Sequence, residues 1–119
     1  MPDSVLTRYS CREFTPDPVT VEQLQAIIRA GMQAPTAKNE QPWEFLVVRS
    51  EQGREALAAS SPYAGSCRRA PVVIVALADQ NRISPESPWW VQDMSACVEN
   101  MLIEAVEQGL GGVWLGMYP

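Results

Sequence analysis

The first clear pattern along the chain is helical. Leu24, Ile27, Ile28 and Gly31 recur at the spacing that puts them on one buried face. Thr20 and Gln23 stand at capping-box spacing, and Val19 and Leu24 occupy the positions where a hydrophobic staple packs. A helix is therefore predicted to open at Thr20 and end near residues 31–33, with Pro35 as the stop. A polar loop follows at 36–42. The core of residues 44–49 (EFLVVR) is continuous and apolar rather than alternating, which predicts a buried strand. Ser50 can cap a short helix through Leu57, and the Ser-, Gly- and Pro-rich stretch 59–69 is predicted as loop with room for a short helix. After Pro71, residues 72–78 (VVIVALA) predict a second strand, ended by Asp79, and 80–88 a second loop.

The longest predicted helix covers 89–108. Its apolar positions include Trp90, Met94, Cys97, Val98, Met101, Leu102, Ala105 and Val106. That stripe is too wide for contact with one sheet, so the helix is expected to be central to the domain or half of a dimer interface. Gly109, Gly111 and Gly112 end it, and 113–116 is predicted to begin a third strand. No repeat, low-complexity stretch or linker divides the chain. One domain over 1–119 is expected, of α+β or layered α/β class. Because the chain stops at Pro119, just after a strand has begun, either a continuation or a second chain is expected to complete the sheet.

Composition narrows the function classes. The 119 residues are 46% hydrophobic and 19% charged, with net charge −5, which argues against a nucleic-acid partner or an anionic membrane surface. No apolar run approaches the roughly 20 residues that span a bilayer. The opening MPDSVLTRYS lacks the basic and apolar regions of a secretory signal, so the cytoplasm is the default compartment. Cys11, Cys67 and Cys97 are scattered without CxxC spacing and read as reduced thiols. There is no histidine, which removes Ser-His-Asp and Cys-His catalysis and nearly every zinc site. No metal is expected. An enzyme built this way would rely on an organic cofactor.

Two segments carry candidate chemistry. Arg8, Ser10 and Arg12 form R-x-S-x-R, two guanidiniums flanking a hydroxyl, a donor set suited to a phosphate and its polar chain. Alone, such a pair four apart is more often a solvated face. The loop APTAKNEQPWEF, 34–45, is more specific: Pro35 and Pro42 stiffen it, Thr36, Asn39 and Gln41 offer hydrogen bonds, and Trp43 and Phe45 anchor its exit. It is either an ordinary polar connection or the wall of a ligand site. The GLGG at 109–112 is no dinucleotide fingerprint, because it follows a helix and precedes a strand.

Together the two segments resemble the nitroreductase family of FMN proteins, in which an R-x-S-x-R-like stretch is followed by an APSxxNxQPW-like loop. The stretch WWVQDMSACVENMLIEAVEQGLGGVWLG also resembles that family, with its long helix followed by Gly-Leu-Gly and an entering strand. The resemblance spans nearly the whole chain. It implies a central mixed sheet flanked by helices, with the long helix at a homodimer interface. It implies an FMN-dependent enzyme taking hydride from NADH or NADPH and reducing a small electrophilic acceptor, nitroaromatic or quinone, by a ping-pong cycle. Arg8 and Ser10 would bind the phosphate and ribityl chain, and Arg12 would approach the pyrimidine end, where a cation favours the negative charge of reduction. Tyr9 and Cys11 would contribute mainly backbone. Pro35, Thr36, Ala37 and Asn39 would come from the partner subunit, and Trp114, Leu115 and Gly116 would lay backbone near the flavin ring. No side chain is expected to act as a nucleophile. The family continues for roughly another third of its length, and its lid is unrecognisable in 54–69 and 80–88. The alternative expectation is a truncated, non-catalytic member that dimerises but holds flavin weakly or not at all.

Overall fold

The computed structural model describes residues 3–86 and 88–117. Ser87, inside the predicted second loop, and Pro119, where the chain stops, lie outside the described residues. A one-turn helix, α1 (Ser4–Thr7), leads through an extended segment to α2 (Val21–Gly31). The predicted capping box closes reciprocally at Thr20. The Thr20 hydroxyl oxygen accepts the Gln23 N–H at 3.1 Å, and Gln23 Oε1 accepts the Thr20 N–H at 2.9 Å. Two otherwise orphaned donors are thus satisfied at the helix entry. α2 buries Leu24, Ile27 and Gly31, three of the four predicted face positions.

Two strands follow, β1 (Trp43–Val48) and β2 (Val73–Ala78), paired antiparallel with Trp43 opposite Ala78 and Val48 opposite Val73. β1 starts one residue before its predicted position because Trp43 is itself a core anchor, 6% exposed. Burial on both faces is not what the strands show: Leu46, Val47 and Leu77 are exposed. An antiparallel pair can stay partly open to water, unlike the covered strands that a continuous apolar run predicted. Between the strands lie α3 (Glu51–Ala59) and α4 (Ser66–Arg69). The predicted cap holds, with Ser50 Oγ accepting the Gly53 N–H at 3.0 Å. Arg54 fastens this region, donating from Nη1 to the carbonyls of Arg68 and Ala70 at 3.0 and 2.9 Å. A small second core forms from Ala58, Ala64 and Cys67, with Leu57, Val73 and Leu115 against it.

The long helix α5 (Trp90–Glu107) matches its predicted span to one residue at each end. It crosses α2 and also touches β2 and α1. The main core gathers around it: Ile27, Ala34, Trp43, Cys97, Met101 and Ala105. Gly31 makes the crossing close, since a Cβ there would sit 2.8 Å from Met101 Cγ and 3.0 Å from Cys97 Sγ. Asn100 pins the same crossing by donating its amide to the Ala30 carbonyl at 3.1 Å. α5 ends in a Schellman motif. The Leu110 N–H reaches the Ala105 carbonyl at 2.8 Å and the Gly109 N–H the Val106 carbonyl at 2.9 Å, with Gly109 at φ +76°.

The third predicted strand is corrected. Residues 113–116 form no ladder; among the described residues only Gly112 pairs, in an isolated parallel bridge with Ser10. Leu115 instead packs against the second core, so the segment is held by a side chain rather than by a row of backbone bonds. The class is α+β, as expected.

The crossing gives a stability test. Alanine at position 31 would gain helix propensity but force Met101 and Cys97 apart. Gly31→Ala is expected to lower unfolding free energy in urea by about 1–3 kcal/mol, the usual cost of overpacking. An unchanged midpoint would show that the crossing is looser than these distances imply.

Candidate functional site

The end of α5 and the N-terminal segment meet at the Ser10–Gly112 bridge. There the Cys11 N–H donates to the Gly112 carbonyl at 2.9 Å. The approach needs glycine, because a Cβ on Gly111 would fall 2.8 Å from Cys11 Sγ. One bridge thus lays the R-x-S-x-R segment beside residues 112–117, about a hundred positions away in sequence. Beside the junction is a cavity of about 260 Å³, lined by Arg12, Ser61, Tyr63 and Ala64 and by residues 113–117. Arg12 and Trp114, Leu115 and Gly116 therefore line one cavity. α4 supports it from behind, with Arg69 Nε donating to the Arg12 carbonyl at 3.1 Å.

Arg8 stands further along the same segment, half-buried, with Nε 3.6 Å from Glu99 of α5. Both side chains retain solvent, so this ion pair is weak and leaves the guanidinium available to a stronger anion. Ser10, Tyr9 and Arg12 are exposed. Hydrogen bonding to Cys11, then the negative charge that its thiolate form would carry, raises the Tyr9 phenol above its ordinary value, so Tyr9 is neutral at physiological pH. The Cys11 thiol donates to the Glu13 carbonyl at 3.1 Å. The other two thiols are inert: burial pushes Cys97 up to about 11 and also raises Cys67.

The loop carrying Pro35, Thr36, Ala37 and Asn39 lies outside the lining of this cavity. It contains a 3-10 turn at Ala37–Asn39, and Lys38, Asn39 and Gln41 take φ of +56°, +52° and +50°. Three non-glycine residues in the left-handed region within four positions is a concentration of strain of the kind found at working loops. The Thr36 hydroxyl oxygen accepts the Gln41 N–H at 3.1 Å, so that side chain shapes the loop itself. Asn39 is exposed. A larger groove of about 630 Å³ runs between α2 and α5, lined by Glu22, Gln25, Arg29, Gln33, Asn100 and Glu104 among others. None of the predicted site residues lines it, and it is open, with Ala26, Ala30 and Ile103 in its lining among the polar side chains.

Sequence reasoning missed three residues around these features. Arg69 and Glu99 act across long separations, on the Arg12 backbone and the Arg8 side chain, and no local spacing marks either. Asp93 reaches from the first turn of α5 to the Ala37 N–H at 3.1 Å. Its one local signal was an acid at a helix start, which the helix dipole already explains.

The description "Nitroreductase family" matches residues 5–64 and 61–119. The chain belongs to the nitroreductase family. It is 37% identical over 115 residues to a protein of Archaeoglobus fulgidus provisionally named NADH dehydrogenase/NAD(P)H nitroreductase, covering 97% of this chain and 66% of that relative. A protein of the same name from Methanothermobacter thermautotrophicus is 36% identical, with 98% of this chain and 61% of the relative covered. The chain thus spans slightly less than two thirds of these curated relatives. Among solved structures, a provisionally named NADH oxidase from Clostridium acetobutylicum superposes with a TM-score of 0.94 at 42% identity, covering 98% of this chain and 70% of that one. A provisionally named nitroreductase from Desulfovibrio desulfuricans, solved in complex with FMN, gives a TM-score of 0.87 at 37% identity, covering 95% and 66%.

The nitroreductase chain offers one accessible thiol. Iodoacetamide at pH 8 should label Cys11 and spare Cys67 and Cys97 until the protein unfolds. Cys97 is held protonated from its ordinary value of 9.0 up to about 11, so its contribution to stability is complete below pH 9 and lost as pH rises through 11. Cys97→Ala should flatten the alkaline fall in stability; labelling of Cys97 in the folded state at pH 8 would contradict this burial.

Proposed function

We propose that this chain is the FMN-holding part of a cytoplasmic oxidoreductase that takes hydride from NADH or NADPH and reduces a small nitroaromatic or quinone acceptor. The observation that carries the reading is the Ser10–Gly112 bridge, which brings Arg12 and Trp114–Leu115–Gly116 to one cavity. The donor set fits FMN. Arg8, Ser10 and Arg12 present two cations and a hydroxyl along one extended segment, and among the described residues their side chains meet one competitor, in the weak Arg8–Glu99 pair. Tyr63, Val113, Trp114 and Leu115 bring apolar side chains to the same cavity, a lining suited to an aromatic ring, and a Cβ at Gly116 would meet nothing within 4 Å.

In this reading Arg8 and Ser10 hold the phosphate and ribityl chain, with Tyr9 and Cys11 contributing backbone. Arg12 places positive charge where reduction adds negative charge. The chemistry supplied by bound FMN is two-electron transfer between the nicotinamide donor and the acceptor, which occupy the site in turn. The protein orients, excludes water and tunes charge; no residue attacks substrate. Pro35, Thr36, Ala37 and Asn39 serve the partner's flavin in a homodimer. Their position outside their own chain's cavity supports that, as do the exposed Leu46, Val47, Leu77, Trp89 and Val91, a supply of apolar surface for a partner to cover.

Arg8→Ala removes a charge-assisted hydrogen bond and should weaken FMN binding by about tenfold to a hundredfold in a flavin titration. Unchanged affinity would take Arg8 out of the site. The shared arrangement has its own test in heterodimers of an Arg8→Ala subunit with an Asn39→Ala subunit. If sites are shared, both defects fall in one site and half the flavin binds normally. If each site uses its own loop, no normal site remains, and the absence of a tight half-site would refute the assignment.

A further inference from the structure

We propose that Asp93 is the positioning residue of the 35–41 loop, setting from the first turn of α5 where Thr36 and Asn39 stand at the flavin; the proposal rests on the FMN reading above. Asp93 is only 6% exposed, although it carries a carboxylate. One oxygen, Oδ1, accepts the Ala37 N–H at 3.1 Å. The other, Oδ2, is buried and has no hydrogen-bond partner among the described residues. An acid at a helix start gains from the dipole while fully solvated, so the dipole explains neither its burial nor its reach to the loop.

The loop needs an outside hold. Its own bonds join neighbours: Asn39 N–H to the Thr36 carbonyl, Glu40 N–H to the Ala37 carbonyl, Gln41 N–H to the Thr36 hydroxyl. Against them stand the left-handed conformations of Lys38, Asn39 and Gln41. Two carboxylates tie the loop elsewhere: Asp93 from α5, and Glu40, whose Oε2 accepts the Ser84 N–H at 2.7 Å. Glu40 Oε1 and Asp93 Oδ2 are the two buried side-chain polar atoms recorded without a partner among the described residues. The unpaired polar atoms thus gather on the anchors of this one loop, which marks its placement as something held against a local cost. Asp93 fixes the turn at its first residue, immediately after Thr36 and two before Asn39.

Lys38 is the chain's only lysine and sits in this turn, so a lysine-specific protease reports directly on the loop. The native chain, Asp93→Ala, Asp93→Asn and Arg8→Ala would be compared for cutting at Lys38 without flavin and for FMN affinity by titration. Cutting of a transiently opened loop follows the open population, so loss of the Asp93 bond should speed it by about tenfold or more. Asp93→Ala should also weaken FMN binding by a similar factor. Asp93→Asn keeps an acceptor and should restore slow cutting, while Arg8→Ala should weaken FMN with native cutting. Should Asp93→Ala fail to fold, Ala37→Pro removes the loop's donor and leaves α5 untouched. Thr36, at φ −135° and ψ 149°, already has the conformation that proline requires before it. Faster cutting in that variant carries the same conclusion.

Native-rate cutting in folded Asp93→Ala or Ala37→Pro overturns the proposal. Faster cutting with undiminished FMN affinity also overturns it, because Asp93 would then hold a loop that the flavin does not use. If the native chain takes up no FMN, the functional reading fails separately. The cutting rates then decide alone whether Asp93 holds the loop.

Discussion

The close crossing of α2 and α5 is the constraint on which the rest of the molecule hangs. Helices pack at this distance only where one presents little more than backbone, and Gly31 does so against Cys97 and Met101. Cys97 is fully buried there, and the Asn100 amide locks the helices in register through the Ala30 carbonyl. With α5 fixed, everything it carries is fixed. Its first turn holds the loop through Asp93, and its middle meets Arg8 through Glu99. Its last turn bonds Ser4 of α1 through Glu107, and its Schellman end delivers Gly111 and Gly112 to Cys11 and Ser10. The candidate site is less a pocket cut into a fold than a set of segments hung on one helix.

The same arrangement explains why the structure is uneven. The α2 side of α5 is closely packed, whereas the two-stranded sheet leaves Leu46, Val47 and Leu77 in solvent. A two-stranded pair has little independent stability in water and depends on the helices behind it. Apolar surface left open on the strands and at the start of α5 is costly in an isolated monomer.

Much of this was legible from local sequence. The Thr20–Gln23 box, the Ser50 cap, the glycine end of α5 and the limits of the long helix all depend on residues within a few positions of one another, and all lie where the spacing predicts. The failures were non-local. Residues 113–116 have the composition of a strand, but a strand also needs a neighbour, and only Gly112 finds one. The unbroken apolar runs of β1 and β2 suggested two covered faces, whereas coverage is decided by where helices pack. In the site, R-x-S-x-R and APTAKNEQPW drew attention by their resemblance to a family. What holds them in place came from Arg69, Glu99 and Asp93, which have no signature because their partners lie 57, 91 and 56 residues away.

The central claim is that FMN lies where the N-terminal segment and the segment after α5 are bridged. Hydrogen–deuterium exchange of the chain with and without FMN tests this without any substitution. The account predicts slowed exchange at residues 9–12 and 112–117, with added protection of 35–41 in the dimer, and little change at the α2–α5 crossing. Protection confined to the groove between α2 and α5, or none at saturating FMN, would contradict it.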